Sequence, residues 1–123
     1  MKYEFNPTIP IYLQIMEEIK RQIVSGERGP GDKIESVREL AQFMGVNPNT
    51  MQRAFAELER EGLMYTERTA GRFITTDSVL ISRIKEESVR SKVAEFVVLM
   101  QKSGFTKADI IRLVEGFMED SNE

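Results

Sequence analysis

The stretch from Ser36 to Gly62 restricts the fold more than any other part of this 123-residue chain. Ser36 and Glu39 have the S-x-x-E spacing of a capping box, in which the hydroxyl accepts a free backbone N–H and the carboxylate reaches back. A helix is therefore expected to start at Ser36. Val37, Leu40, Ala41 and Met44 recur at three- and four-residue intervals, one buried stripe of a short helix. Gly45 closes that helix, because glycine accepts a positive φ at no steric cost. Asn47 can cap the next helix through its side-chain oxygen, and Pro48 suits the first helical position, where no amide donor is required. Met51, Ala54, Phe55 and Leu58 give the second helix its apolar stripe. Two short helices joined by a tight turn form a helix-turn-helix.

Past Gly62 the helical spacing gives way to β-prone runs, Leu63 to Glu67 and Arg72 to Thr76, separated by Thr69-Ala70-Gly71. That pattern predicts a hairpin with glycine at its turn. Upstream, Pro10 to Gly26 reads as an amphipathic helix. Ile11, Ile15, Ile19 and Ile23 lie four apart, with Leu13, Met16 and Val24 widening the stripe into a third side for the core. Gly26, Gly29, Pro30, Gly31 and Asp32 make the following loop. Downstream, Thr76 or Asp77 can cap a long helix to about Lys102, and Ser103-Gly104-Phe105 interrupts it. Thr106 and Asp109 then repeat the capping-box spacing for a last helix to about Glu119. The expected fold is mainly α with a small β-hairpin. A winged helix-turn-helix domain over residues 1–76 is followed by a two-helix C-terminal dimerisation hairpin within 77–123.

A helix-turn-helix presents the N-terminal residues of its second helix to the major groove, so polar side chains are needed there. Asn49, Thr50, Gln52 and Arg53 fill those turns. Arginine can bond guanine in bidentate fashion, Gln and Asn can do the same to adenine, and Thr can reach a base or a phosphate. Arg38 stands on the preceding helix. Arg68 and Arg72 flank the hairpin turn and are expected to project near its tip, where a narrow minor groove attracts guanidinium. Overall charge does not help: the net charge is -3, and residues 1–75 carry 10 Lys/Arg against 11 Asp/Glu. Any DNA-binding face must therefore be a local patch of Arg38, Arg53, Arg68 and Arg72. Acids such as Glu17, Glu18, Glu57, Glu59 and Glu61 are expected elsewhere, and binding should be specific and salt-sensitive.

The tail has two characters. Ser82 to Lys92 is mostly charged, with Ile84 and Val89 as exceptions, and reads as a solvated stalk. Beyond it, Val93, Phe96, Val97 and Met100 share a face, joined on the last helix by Ile110, Leu113, Val114, Phe117 and Met118. A hairpin of about forty residues is too short to bury such a seam alone. The simplest partner is the same hairpin of a second copy. An isologous homodimer would relate two recognition helices by a two-fold axis and read an inverted repeat in double-stranded DNA. A pocket at that interface could hold a small-molecule effector, although no residue names one.

These motifs in this order resemble the GntR-type transcriptional regulators. The resemblance rests on I-P-I-Y-L-Q-I, on S-G-E-R-G-P-G-D-K-I-E-S-V-R-E-L-A and on G-V-N-P-N-T-M-Q-R-A-F-A-E-L-E-R-E-G-L, spanning roughly residues 8–75. The short tail looks like the YtrA-type branch, whose members pair through C-terminal helices. The resemblance implies that Arg38 contacts DNA and that Asn47, Asn49, Thr50, Gln52 and Arg53 are the recognition positions, with Gly71 the wing glycine. It further implies a repressor of its own operon, which in this branch often holds genes for an ABC-type membrane transporter. Two positions depart from the family pattern. Glu35 replaces the usual proline before the serine, putting an acid near the expected backbone contact, and Thr69 replaces the first glycine of the wing.

Catalysis has little support. The chain lacks His and Cys, which removes the commonest general base, the thiol nucleophile and nearly all transition-metal ligand sets. Pairs such as Glu17-Glu18 and Glu86-Glu87 point apart on helices, and no phosphate-cradling glycine loop is present. No cofactor is expected. Without a signal peptide or long apolar run, a cytoplasmic location and no membrane partner are expected. A competing reading is a winged-helix protein-interaction module that does not bind DNA directly.

Overall fold

The computed structural model describes residues 3–121. It contains α1 (Ile11–Ser25), α2 (Val37–Met44), α3 (Pro48–Arg60), β1 (Met64–Glu67), β2 (Gly71–Ile74), α4 (Ser78–Lys102) and α5 (Lys107–Ser121). The expected mainly helical fold with one hairpin is what the chain adopts.

The start of α2 is built as its sequence requires. Glu39 N–H donates to Ser36 Oγ at 3.1 Å, and Ser36 N–H donates to Glu39 Oε1 at 3.0 Å. At its end Gly45 has φ +73°, and Val46 N–H closes on Ala41 O at 2.9 Å. The chain thus reverses with its last carbonyls satisfied. In the helix that follows, Met51, Ala54, Phe55 and Leu58 seat α3 in the core. Ile15, Ile19, Leu63 and Ile74 close around them, all with essentially no exposure. Each such side chain contributes about 1.5–3 kcal/mol by leaving water. Lys20 of α1 and Glu61 beyond α3 add an ion pair of 2.9 Å.

β1 and β2 pair antiparallel, Met64 opposite Ile74, Tyr65 opposite Phe73, Thr66 opposite Arg72 and Glu67 opposite Gly71. The sequence did not suggest a third participant. Residues 32–34 run beside β2, bridging Lys33 to Phe73, with Ile34 N–H to Arg72 O at 3.0 Å and Ile74 N–H to Asp32 O at 2.8 Å. Ile34 is buried there.

The chain divides into two compact units, one ending at Lys85 and the other beginning at Glu86. The first reaches past Thr76 because Leu80, Ile81 and Ile84, on the first turns of α4, pack against its core. Ile84, read from sequence as part of a solvated stalk, therefore belongs to that core's edge. Asp77 caps α4, its Oδ1 accepting from Val79 and Leu80 N–H at 3.1 Å. In the second unit α4 ends at Lys102, and the chain turns at Gly104, φ +90°, with Phe105 N–H on Met100 O at 3.0 Å. Thr106 and Asp109 then cap α5 reciprocally.

Candidate nucleic-acid interface

Arg38 stands exposed on the first turn of α2. At the start of α3 the Asn47 side-chain oxygen accepts Asn49 N–H at 2.7 Å. That oxygen is occupied in starting the helix, and the Asn47 side-chain amide NH2 remains as its outward donor. Asn49, Gln52 and Arg53 are exposed and Thr50 is half-buried, while Met51 and Ala54 anchor the opposite face. The Arg53 guanidinium carbon lies 3.8 Å from the centroid of the Tyr12 ring on α1. This cation–π contact limits where Arg53 can point. Tyr12 was not singled out in the sequence, because nothing local relates positions 12 and 53.

The wing corrects one expectation. Arg68 is exposed in the turn, but Arg72 does not project from the tip. Its Nε donates to Glu59 Oε1 at 2.6 Å, the same oxygen accepts from Thr66 Oγ at 2.9 Å, and the guanidinium lies 5.3 Å above the Phe55 ring. Glu59, expected away from the binding face, is the acid that fastens the wing to α3. The cause is strand periodicity: Ile74 faces the core, so Arg72, two residues earlier, shares its face. The alternation was legible in the sequence; the carboxylate waiting thirteen residues upstream was not. Gly71 has φ +115°, and a Cβ there would meet Lys33 Cε at 3.0 Å. Glycine is thus favoured for its backbone conformation, and the lysine stem crosses it closely.

The arrangement of charge is the site's most informative property. Between residues 3 and 76, Lys20 pairs with Glu61, Arg21 with Glu18 and Glu27, Arg28 with Glu35, Arg60 with Glu57, and Arg72 with Glu59. Lys33, Arg38, Arg53 and Arg68 form no close ion pair among the described residues. Six carboxylates of this unit are neutralised locally, and the cations without an ion pair stand on the segment before α2, the first turn of α2, the early turns of α3 and the wing. Glu35, the residue in the proline's place, fits this sorting. Burial pushes its carboxyl up, but Arg28, 2.7 Å away, its own backbone N–H and the Arg28 charge outweigh that and hold it below the ordinary glutamate range.

Residues 11–74 match the family described as bacterial regulatory proteins, gntR family. The chain belongs to the GntR family. It is 39% identical over 119 residues to the uncharacterized HTH-type transcriptional regulator YhcF of Bacillus subtilis, covering 97% of this chain and 98% of that protein. It is also 46% identical over 69 residues to the HTH-type transcriptional repressor YtrA of the same organism, covering 56% and 53%. Among solved structures, a GntR family transcriptional regulator from Listeria monocytogenes superposes with TM-score 0.78 at 40% identity, over 91% of this chain and 98% of that one. AraR(DBD) in complex with operator ORX1 superposes with TM-score 0.55 at 32% identity, over 61% and 95%. This GntR protein is accordingly a winged-helix transcriptional regulator and not an enzyme. Among its described residues no helix is long and apolar enough to cross a membrane.

Proposed function

We propose that this GntR protein is a homodimeric, sequence-specific repressor that binds an inverted-repeat operator in duplex DNA. The sorting of its cations carries the reading: in a chain of net charge -3, the unpaired positive groups stand on the elements that a winged helix offers to a duplex. Asn49, Thr50, Gln52 and Arg53 read bases, assisted by the Asn47 amide, while Arg38 and Arg68 hold phosphates and Gly71 lets the wing approach closely. Arg72 acts through the wing it fastens.

Pairing through residues 77–123 is supported by exposure. Neither α5 nor α4 contains a buried residue, and Phe96 is 40%, Val93 55% and Phe117 74% exposed. Val97, Met100, Ile110 and Leu113 are half-buried and Val114 remains exposed. Val98, Leu99 and Ile111 enlarge the apolar surface beyond the seam read from sequence. A face of this kind is stable in water once a second copy covers it. By the resemblance of its sequence to the YtrA-type branch, the operator belongs to the protein's own operon, together with genes for an ABC-type transporter, and the protein acts in the cytoplasm with the chromosome. A small-molecule effector would have to act at the paired tails.

Fluorescence anisotropy against fragments of its own promoter region, beside a scrambled duplex and at several salt concentrations, tests this. One fragment bound tightly, with affinity rising as salt falls, is the expected result. Equal or absent binding to all fragments, with and without metabolite extract, would instead favour a protein partner for the winged domain.

A further inference from the structure

We propose that Lys33 is a phosphate-contacting residue, delivered to the wing turn by its passage across Gly71. This rests on the DNA-binding reading above and adds a contact outside the helix-turn-helix and the hairpin. Lys33 precedes α2 in the segment that bridges Phe73, so its backbone is fixed to the wing sheet. The neighbouring bonds, Ile74 N–H to Asp32 O and Ile34 N–H to Arg72 O, hold it from both sides. Its stem crosses the one wing residue that has no side chain: a Cβ on Gly71 would lie 3.0 Å from Cε and 3.6 Å from Nζ. The ammonium is thereby brought to the strand end opposite Glu67 and next to the Arg68–Ala70 turn.

Three further observations fit a phosphate. Lys33 is exposed and forms no close ion pair among the described residues, its charge acting on Glu39 only at longer range, unlike Lys20, which pairs with Glu61. It lines an open groove of about 390 Å³ together with Ser36, Arg68 and Gly71, between the start of α2 and the wing. Of that groove's three acids, Glu35 is engaged by Arg28 and Glu39 by Ser36, while Glu67 stands opposite Gly71 with Arg68 beside it in the chain. An ammonium is a compact point charge suited to a phosphate oxygen and not to bidentate reading of a base. A stem already laid against the backbone also loses less rotamer freedom on binding than a free lysine does.

The test compares wild-type protein, Lys33→Gln, Lys33→Arg and, as a paired-lysine control, Lys20→Gln. Each is titrated by anisotropy onto the promoter fragment that the wild type binds and onto a scrambled duplex, from about 50 to about 200 mM salt. Loss of one phosphate contact flattens the slope of log affinity against log salt by about 0.9. Because the substitution removes one such contact from each protomer of the dimer, the advantage of wild type over Lys33→Gln should shrink about tenfold across that range, equally on both duplexes. Lys33→Arg should restore the slope, and thermal melts should match the wild type. A Lys33→Gln slope equal to wild type, or a loss shared by Lys20→Gln, overturns the assignment while leaving operator binding intact. Failure of the wild type to bind any duplex overturns both readings together.

Discussion

At the scale of single residues, the two wing arginines have different work despite their symmetric places in the sequence. Arg68 is exposed in the turn, whereas Arg72 is held by Glu59 at 2.6 Å. Arg68→Ala should weaken DNA binding and flatten its salt slope with little change in melting temperature. Arg72→Ala should lower stability by about 1 kcal/mol, as expected for a partly exposed pair, seen as an earlier midpoint in urea. Gly71→Ala should be costly because of the positive φ of +115°, whereas the exposed Lys33 stem, 3.0 Å from the added Cβ, can move aside. A loss of about 1–2 kcal/mol in chemical denaturation is expected. Arg38 and Arg68 were legible as candidates because their local context is enough to expose them. Lys33 was not, since its value depends on a glycine far along the chain.

At the scale of elements, the helix boundaries follow from capping chemistry that operates within four residues. Ser36→Ala should cost about 1 kcal/mol by orphaning Glu39 N–H, measurable by circular dichroism melts. The same box makes stability sensitive to acid. Glu39 is held below the ordinary carboxylate range, chiefly by the hydrogen bond from Ser36 N–H and then by the Ser36 hydroxyl. Asp109 is held low by Thr106 N–H, then by its hydroxyl. A carboxyl whose folded pKa is depressed stabilises fully above its unfolded value and loses that contribution as pH falls through the folded one. The melting temperature should therefore fall as pH drops below the ordinary carboxylate range. Glu39→Gln, which keeps the cap without titrating, should reduce that fall. Capping was readable in the sequence for the reason that makes it local: donor and acceptor are three residues apart.

At the scale of the whole molecule, the apolar surface of residues 86–121 is the feature a single chain leaves unsatisfied. Phe117→Glu, at a position 74% exposed in the single chain, should leave each winged domain folded. It should convert a dimer to a monomer in sedimentation, with operator affinity falling toward that of one half-site; an unchanged dimer would place the interface elsewhere. The order of elements, their caps and the apolar stripes, and hence the winged helix-turn-helix, were readable from the residues alone. All of these depend on side chains within a few residues of one another. Tertiary structure alone decided that Arg72 turns inward to Glu59, that Arg53 lies over Tyr12, that residues 32–34 join the wing sheet and that the first unit reaches Lys85. Each of these rests on groups far apart in the chain, and only packing of the helices around Phe55 brings them within reach of a hydrogen bond or a ring face.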